Sequence, residues 1–404
     1  MNWKMLRLYQ RFLAVCVISI GLCMFIIYRQ HPHVTESKGE VDSVLIREVE
    51  YDRPPIDDRP VLTQEPYHPD ANVKPANLSV LEQPLPKQKF GEMIHYTKNN
   101  SEFDFRTKID FKPTTCLNSI QKKLQESEWA SEMFLPNITM VMHQGIMSKE
   151  EYDRLHEFGL PFGLYFRDEL TYPDLQDVLS NLSREDSILD FTGKEKPSCL
   201  SCAVVGNGGI LNGSKRGKEI DGHDLVFRVN HAIRRGFEED VGTRTTHYVM
   251  MDRSLAHTSK EDIPADKGIK YVFLPCRRND YKYINQVTRS TNPRQKFAAD
   301  PKDMRILHPD FARYVHKVWM KVKAFRPTTG GMMFMSALHA GCDTVDVYGM
   351  GYTRQYSDHY YDMTYMPFQS YLGSHDYRRE TAIMKSMDKD GIINWYKRDV
   401  KEFL

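Results

Sequence analysis

The sequence predicts an α/β fold: a single domain on a mainly parallel sheet flanked by helices, preceded by an N-terminal transmembrane helix and an extended stem. Three observations predict it. An uncharged apolar run lies near the start, a proline-rich stretch follows, and from about residue 111 short β-branched or aromatic runs alternate with helical patterns. The chain of 404 residues has room for one large domain or two smaller ones, and 41% hydrophobic content suffices for a substantial core. Lys+Arg of 55 against Asp+Glu of 54 leaves +1, so charge makes no case for a nucleic-acid or polyacidic partner.

Residues 12–28, FLAVCVISIGLCMFIIY, carry no charge. At about 1.5 Å per residue they span roughly 25 Å, short for an average bilayer but adequate for a thin early-secretory membrane. Lys4, Arg7 and Arg11 precede the run and only Arg29 follows closely, which places residues 1–11 in the cytosol and the rest in the lumen. A cleaved signal peptide is the alternative, but the run exceeds the roughly 7–15 apolar residues of such a leader and no small-x-small site follows. The sequons at Asn77, Asn99, Asn137, Asn181 and Asn212 agree with a luminal body. Of the seven cysteines, Cys16 and Cys23 lie in the apolar run. Cys116, Cys199, Cys202, Cys276 and Cys342 face an oxidising lumen; five is odd, so at least one stays out of any intrachain pair. Cys199-x-x-Cys202 has no second ligand pair at zinc-like spacing.

Residues 29–110 read as the stem. Between 51 and 90 stand 8 of the 21 prolines, about 20% against a usual roughly 5%. Such a segment cannot offset its ordering entropy by burial, so an extended, polyproline-like spacer is expected.

Residues 111–404 read as the folded domain. Cys202–Gly206, Leu225–Val229, Tyr248–Met250, Tyr271–Leu274 and Val345–Tyr348 have strand length and composition. Pro309–Phe325 places Phe311, Tyr314, Val315, Val318, Trp319 and Val322 on one helical stripe, closed by Pro327. Gly330–Ala340 reads as a second, mostly buried helix ended by Gly341.

Several segments could carry chemistry. After Cys202 a strand runs into Gly206-Asn-Gly-Gly209 and a helix beyond it, where glycines let backbone approach a phosphate and a helix start offers N–H groups. A dinucleotide fingerprint fails at Leu211, where the third glycine belongs; a tight turn without ligand stays open. Arg326-Pro-Thr-Thr-Gly-Gly331 sets hydroxyls and N–H groups at a helix start, suited to a carboxylate or phosphate, though alone it reads as an ordinary cap. His359 and His375 fall in C-terminal runs rich in aromatics and charge, fit for proton transfer or for an ordinary surface. Asp388-Lys-Asp390 matches a metal-holding Asp-x-Asp but ends a charged helical stretch, and reads as solvated surface.

Together these segments resemble the animal sialyltransferase family. Ser201–Met250 resembles its long motif, Pro327–Gly351 its short motif, His359-Tyr-Tyr-Asp362 its third, and His375 with Glu380 its very short one, in family order. RPTTG, SDHYYD, GSHDY, GIINWYKR and LHEFGLPFGLY are similar to the branch that adds sialic acid α-2,6 to GalNAc on Ser or Thr. Two features depart from the pattern. Gly209-Ile210 replaces a polar position of other branches, so no donor role passes to Ile210, and Gly349-Met-Gly351 differs from the usual short-motif ending. The resemblance implies a GT-A-like variant fold and an inverting transfer from CMP-sialic acid, a co-substrate, with no cofactor and no metal. It implies that Asn207 and Asn230 hold the CMP part and that Thr328, Thr329 and Gly330 hold the ribose region or the sialic acid carboxylate. It makes His359 the donor to the leaving phosphate and His375 the general base. It pairs Cys202 with Cys342 and Cys116 with Cys199, leaving Cys276 over. The implied partners are an O-glycosylated glycoprotein and the Golgi membrane, in a single-pass type II topology, with no nucleic acid. A galactose acceptor, a non-catalytic type II membrane lectin and a luminal oxidoreductase on the glycine loop are the rival readings.

Overall fold

Every strand read from the sequence forms, and three more join them in one eight-stranded sheet. The computed structural model describes residues 101–404 except 166–169, 192–194, 252–254, 256–257, 293–295, 322–325, 363–364, 366–374 and 404. The expected membrane helix 12–28, the stem up to residue 100, and Asn77 and Asn99 lie outside the described residues. The strands are β1 (Val141–Met142), β2 (Ser201–Val205), β3 (Leu225–Val229), β4 (His247–Met250), β5 (Lys270–Phe273), β6 (Met304–Leu307), β7 (Thr344–Tyr348) and β8 (Asn394–Trp395). Their order is β1-β6-β5-β4-β3-β2-β7-β8. All neighbours run parallel except β1, which closes one edge antiparallel with Val141 opposite Leu307. β2 is central: Cys202 stands opposite Leu225 of β3 and Val345 of β7.

The strands read as apolar runs because both faces are covered. Successive side chains alternate. Cys202, Val204, Phe227, Val249, Val345 and Val347 point into a core that also holds the helix Thr329–Ala340. Ala203, Val205, Val226 and Tyr348 point into a second, with Ile210 and Ile220. Tyr248, Tyr271, Phe273 and Ile306 meet the helices Lys149–His156, Tyr172–Ser180 and Arg278–Arg289. β6 escaped sequence reading because Arg305 interrupts it; its buried guanidinium donates to the carbonyls of Ser187 and Lys302. β1 and β8 are two residues each, too short to carry a period.

Two expectations need correcting. The helix foreseen over Pro309–Phe325 is α-helical only to Tyr314, continues as one wide turn over Val315–Met320, and ends at Lys321, whose φ is 52°. All six residues of Pro309–Tyr314 are buried, so this is a core helix rather than a half-exposed one with a stripe. The folded region also starts earlier than residue 111: Phe103 and Phe105 pack on the core and Thr107 bridges to Ile138.

The helix Thr329–Ala340 follows the sequence reading. Thr328 caps it, its hydroxyl accepting from the Gly331 amide at 2.7 Å, and Gly341 ends it at φ 105°. Cys202 is disulfide-bonded to Cys342, and Cys116 to Cys199. The first bond ties β2 to the turn that enters β7. Cys276 is in neither disulfide and is buried.

Candidate active site

The chain leaves β2 for β3 on one side and, after β6, returns to β7 on the other. Strand order therefore reverses between β2 and β7, the place in an open α/β sheet where a crevice forms outside the C-terminal ends of the strands. A cleft of about 180 Å³ occupies this position. Gly206, Asn207 and Gly208 line it from β2, Val229 and Asn230 from β3, and Gly349 to Tyr352 from β7. Thr328, Thr329 and Gly330 enter from the helix start, and Asp358, His359, His375, Tyr377 and Glu380 from the C-terminal segments. All seven residues singled out for catalysis or donor binding thus face one space, although 168 positions separate Asn207 from His375.

The glycine turn works differently from the sequence expectation. No α-helix opens after it, only the single turn Gly209–Leu211. Its amides are already used: Gly206 donates to the Tyr348 carbonyl, Gly208 to Gly349 and Gly209 to Ser357. A Cβ at Gly206 would stand 2.4 Å from the Gly349 oxygen, and one at Gly209 2.4 Å from the Ser357 oxygen. The close approach these glycines permit is to the β7 loop and the His359 loop. The cleft wall is welded from two turns, and Asn207 stands between the glycines. The Asn207 side chain donates to the Val229 carbonyl at 3.3 Å. Asn230 sits in the left-handed region at φ 55°, and its side-chain oxygen is buried with no partner among the described residues. A buried amide oxygen without a partner costs about 1–3 kcal/mol, which a ligand hydroxyl or amine in the cleft would offset.

The two histidines are held by different partners. His375 Nδ1 lies 2.9 Å from the Arg326 carbonyl, which fixes the proton on Nδ1 and leaves Nε2 as an acceptor. Burial pushes its pKa below the usual 6.5, so at neutral pH the ring is unprotonated and has a lone pair available to accept a proton. His359 Nδ1 lies 3.2 Å from an Asp362 oxygen, and its ring stacks on Tyr361 at 4.9 Å, tilted by only 7°. A neutral Nε2 and an imidazole backed by a carboxylate on one cleft can accept one proton and donate another.

Sequence reasoning gave no role to Glu380, Tyr352 or Tyr377. Glu380 accepts from the Thr328 amide and the Thr328 hydroxyl, each at 2.7 Å. The rings of Tyr352 and Tyr377 meet edge to face, 4.5 Å apart. The spacing from His375 was a signal for Glu380; nothing in sequence sets Tyr352 beside Tyr377. Asp388 and Asp390 lie at the far end of the helix Tyr377–Lys389 from His375. Asp388 accepts from the Trp395 amide and pairs with Lys397, and Asp390 accepts from the Trp129 indole. They are engaged in structural contacts away from the cleft.

Residues 141–392 match the model of glycosyltransferase family 29 (sialyltransferase). The chain belongs to this family. Alpha-N-acetylgalactosaminide alpha-2,6-sialyltransferase 1 of Gallus gallus is 34% identical, over 70% of this chain and 56% of that protein. The Mus musculus counterpart is 36% identical, over 70% and 60%. Alpha-N-acetylgalactosaminide alpha-2,6-sialyltransferase 2 of Mus musculus is 30% identical, over 71% and 84%. The chain therefore spans little more than half the length of the first of these relatives. A crystal structure of a mammalian sialyltransferase shares the fold at a TM-score of 0.56 and 24% identity, over 71% of this chain and 99% of that one. A mammalian sialyltransferase in complex with Gal-beta-1-3GalNAc-ortho-nitrophenol aligns at 0.54 and 25%, over 70% and 99%. The sialyltransferase match spans the whole cleft, whose lining runs from Gly206 to Met384.

Proposed function

We propose that this chain transfers sialic acid from CMP-sialic acid to the 6-hydroxyl of GalNAc O-linked to Ser or Thr of glycoproteins, with inversion and without a metal. The observation that carries the reading is the single cleft at the strand-order reversal that gathers Asn207, Asn230, Thr328, His359 and His375. Identities of 34% and 36% to GalNAc α-2,6-sialyltransferases support the acceptor.

In this reading Asn207 and Asn230 hold the CMP part, while Thr329 and Gly330 present the helix start to the donor carboxylate or ribose. His375 Nε2 takes the proton of the acceptor hydroxyl as that oxygen bonds to the anomeric carbon. The bond from that carbon to the CMP phosphate breaks on the opposite face, and the phosphate leaves with the electron pair. His359 donates a hydrogen bond to the departing oxygen, the oxyanion logic applied to a phosphate. A monophosphate carries less charge than a diphosphate, so protein donors can replace a divalent ion. The uncharged run 12–28 would anchor the chain in the Golgi membrane as a type II protein, with the proline-rich stem spacing the folded catalytic region into the lumen.

The test is incubation of the full chain with CMP-sialic acid and a panel of O-glycopeptides carrying GalNAc, Gal-GalNAc or sialylated Gal-GalNAc, followed by linkage analysis. A 2,6-linked product on GalNAc supports the reading; product on galactose moves the assignment to a galactose acceptor. Sugar binding without CMP release would mark a lectin. The rate is expected to survive EDTA; its loss with recovery on adding Mn²⁺ would refute the metal-free step.

A further inference from the structure

The reaction proposed for the cleft makes no use of the sequon Asn212-Gly-Ser214, which follows the glycine turn directly. Three sequons fall among the described residues, and each has its side-chain nitrogen engaged. Asn137 donates to the Lys108 carbonyl at 3.2 Å and Asn181 to the Thr288 hydroxyl at 3.0 Å. Asn212 donates to the Tyr360 carbonyl at 2.8 Å, across 148 positions. Of the three bonds, only this one reaches a segment of the cleft lining, since Tyr360 directly follows His359.

Both ends of the bond are held. The Asn212 amide donates to the Gly209 carbonyl at 3.0 Å, closing the turn Gly209–Leu211, and the Asn212 carbonyl accepts from the Arg398 guanidinium at 3.0 Å. The same guanidinium stands over the Tyr356 ring, 5.4 Å from its centre, three residues before His359. On the other side, the Tyr360 amide donates to the Asn207 carbonyl at 2.8 Å, and its buried side chain donates through its hydroxyl to the Ile233 carbonyl. Residue 360 is thereby fixed at its amide, at its side chain and, by Asn212, at its carbonyl. The peptide bond from Tyr360 to Tyr361 is planar, so the direction of that carbonyl sets how the chain enters Tyr361. The Tyr361 ring in turn stacks on the His359 imidazole at 4.9 Å, with the His231 ring 5.7 Å away from it on a near-parallel plane.

We propose that Asn212 is a positioning residue: its side-chain amide latches the loop 357–361 to the glycine turn and so holds His359 where the phosphate leaves. The proposal rests on the transferase reading for its catalytic meaning, while the latch itself is a property of the fold. The role needs the amide hydrogen and not the sequon, and two substitutions separate them. Aspartate keeps the size of asparagine, but its carboxylate only accepts, so Asn212→Asp breaks the latch. Ser214→Ala destroys the sequon and leaves the amide in place.

The experiment compares the full chain, made in a glycosylating secretory host, with Asn212→Asp and Ser214→Ala. It reads transfer, CMP release with water in place of the acceptor, and amide hydrogen exchange. Asn212→Asp is expected to lower the kcat of transfer by about tenfold to 10²-fold, up to the scale of an ångström-level misplacement, with acceptor KM changed less than about threefold. CMP release to water should fall in the same proportion, because the hydrogen bond to the departing phosphate serves both reactions. Ser214→Ala is expected to keep both rates within about twofold. In Asn212→Asp the amides of Gly209 and Tyr360 should exchange at least tenfold faster while the amides of β2 to β5 keep their protection. A general loss of protection in the sheet would make Asn212 a fold-stability residue and overturn the positioning role. Unchanged exchange at Tyr360, full activity in Asn212→Asp, or transfer lost with CMP release intact would overturn it too. So would a Ser214→Ala variant as impaired as Asn212→Asp, which would assign the effect to a glycan. A wild-type chain that transfers no sialic acid would sink the assigned reaction alone, because exchange at Tyr360 still decides the latch.

Discussion

His375 and Glu380 show how one residue's environment decides its chemistry. His375 is neutral because burial disfavours the imidazolium, and its free nitrogen is set by a backbone carbonyl rather than a carboxylate. His375→Ala is expected to bind CMP as the wild type does, by calorimetry, and to lose about 10²–10⁴-fold in kcat. A variant that turns over normally would remove His375 from the mechanism. Glu380 is shifted the other way: burial pushes its carboxyl up to about 7, opposed by the two Thr328 bonds and reinforced by Asp376. A carboxyl whose pKa is raised in the folded state holds its proton longer there than in the unfolded chain. The stability it contributes is present below the unfolded value of about 4.5 and is lost as pH rises through about 7. Glu380→Gln is therefore expected to raise Tm at pH 8 and leave it nearly unchanged at pH 4. Thermal melts at both pH values check this; an equal shift at both would contradict it.

At the scale of elements, the cleft is built from turns locked to turns. Gly209 packs on the backbone of Ser357, with 2.3 Å from its Cβ position to the Ser357 hydroxyl and 2.4 Å to the carbonyl. The Ser357 hydroxyl in turn donates to the His359 carbonyl at 2.7 Å. Gly209→Ala must displace backbone, which costs about 1–3 kcal/mol, and it displaces the loop that carries His359. Both a lower denaturation midpoint and a fall in kcat are expected. A variant that loses stability but keeps kcat would separate the loop from the reaction. The sequence made these glycines visible but assigned their close approach to a phosphate. A glycine records only that something comes near, and which neighbour it is depends on residues 140 to 150 positions away.

At the scale of the whole molecule, the Cys202–Cys342 bond closes a loop with a sequence separation of 140 and ties β2 to the turn that enters β7, its neighbour across the strand-order reversal. Replacing both cysteines by serine is expected to cost about 2–5 kcal/mol by denaturant titration. It should also weaken CMP binding, since the turns that follow β2 and β7 bond to each other to form one wall of the cleft. Stability lost with CMP affinity intact would show that hydrogen bonding between β2 and β7 holds the wall without the covalent tie.

The sequence by itself determined the fold class, the five central strands, the helix from Thr329 to Ala340 and its caps, and, through the family resemblance, seven of the residues that line the cleft. Each is written locally, as a run of β-branched residues covered on both faces, a hydroxyl at a helix start, or a motif whose spacing repeats across a family. Only the tertiary structure decided where the glycine turn leans, that the helix after Pro309 is buried all round, and that Arg305 lies within a strand. It alone set Glu380 against Thr328 and gave His375 its carbonyl partner. These depend on contacts between segments far apart in the chain, and neither periodicity nor composition encodes which distant backbone group meets a given side chain.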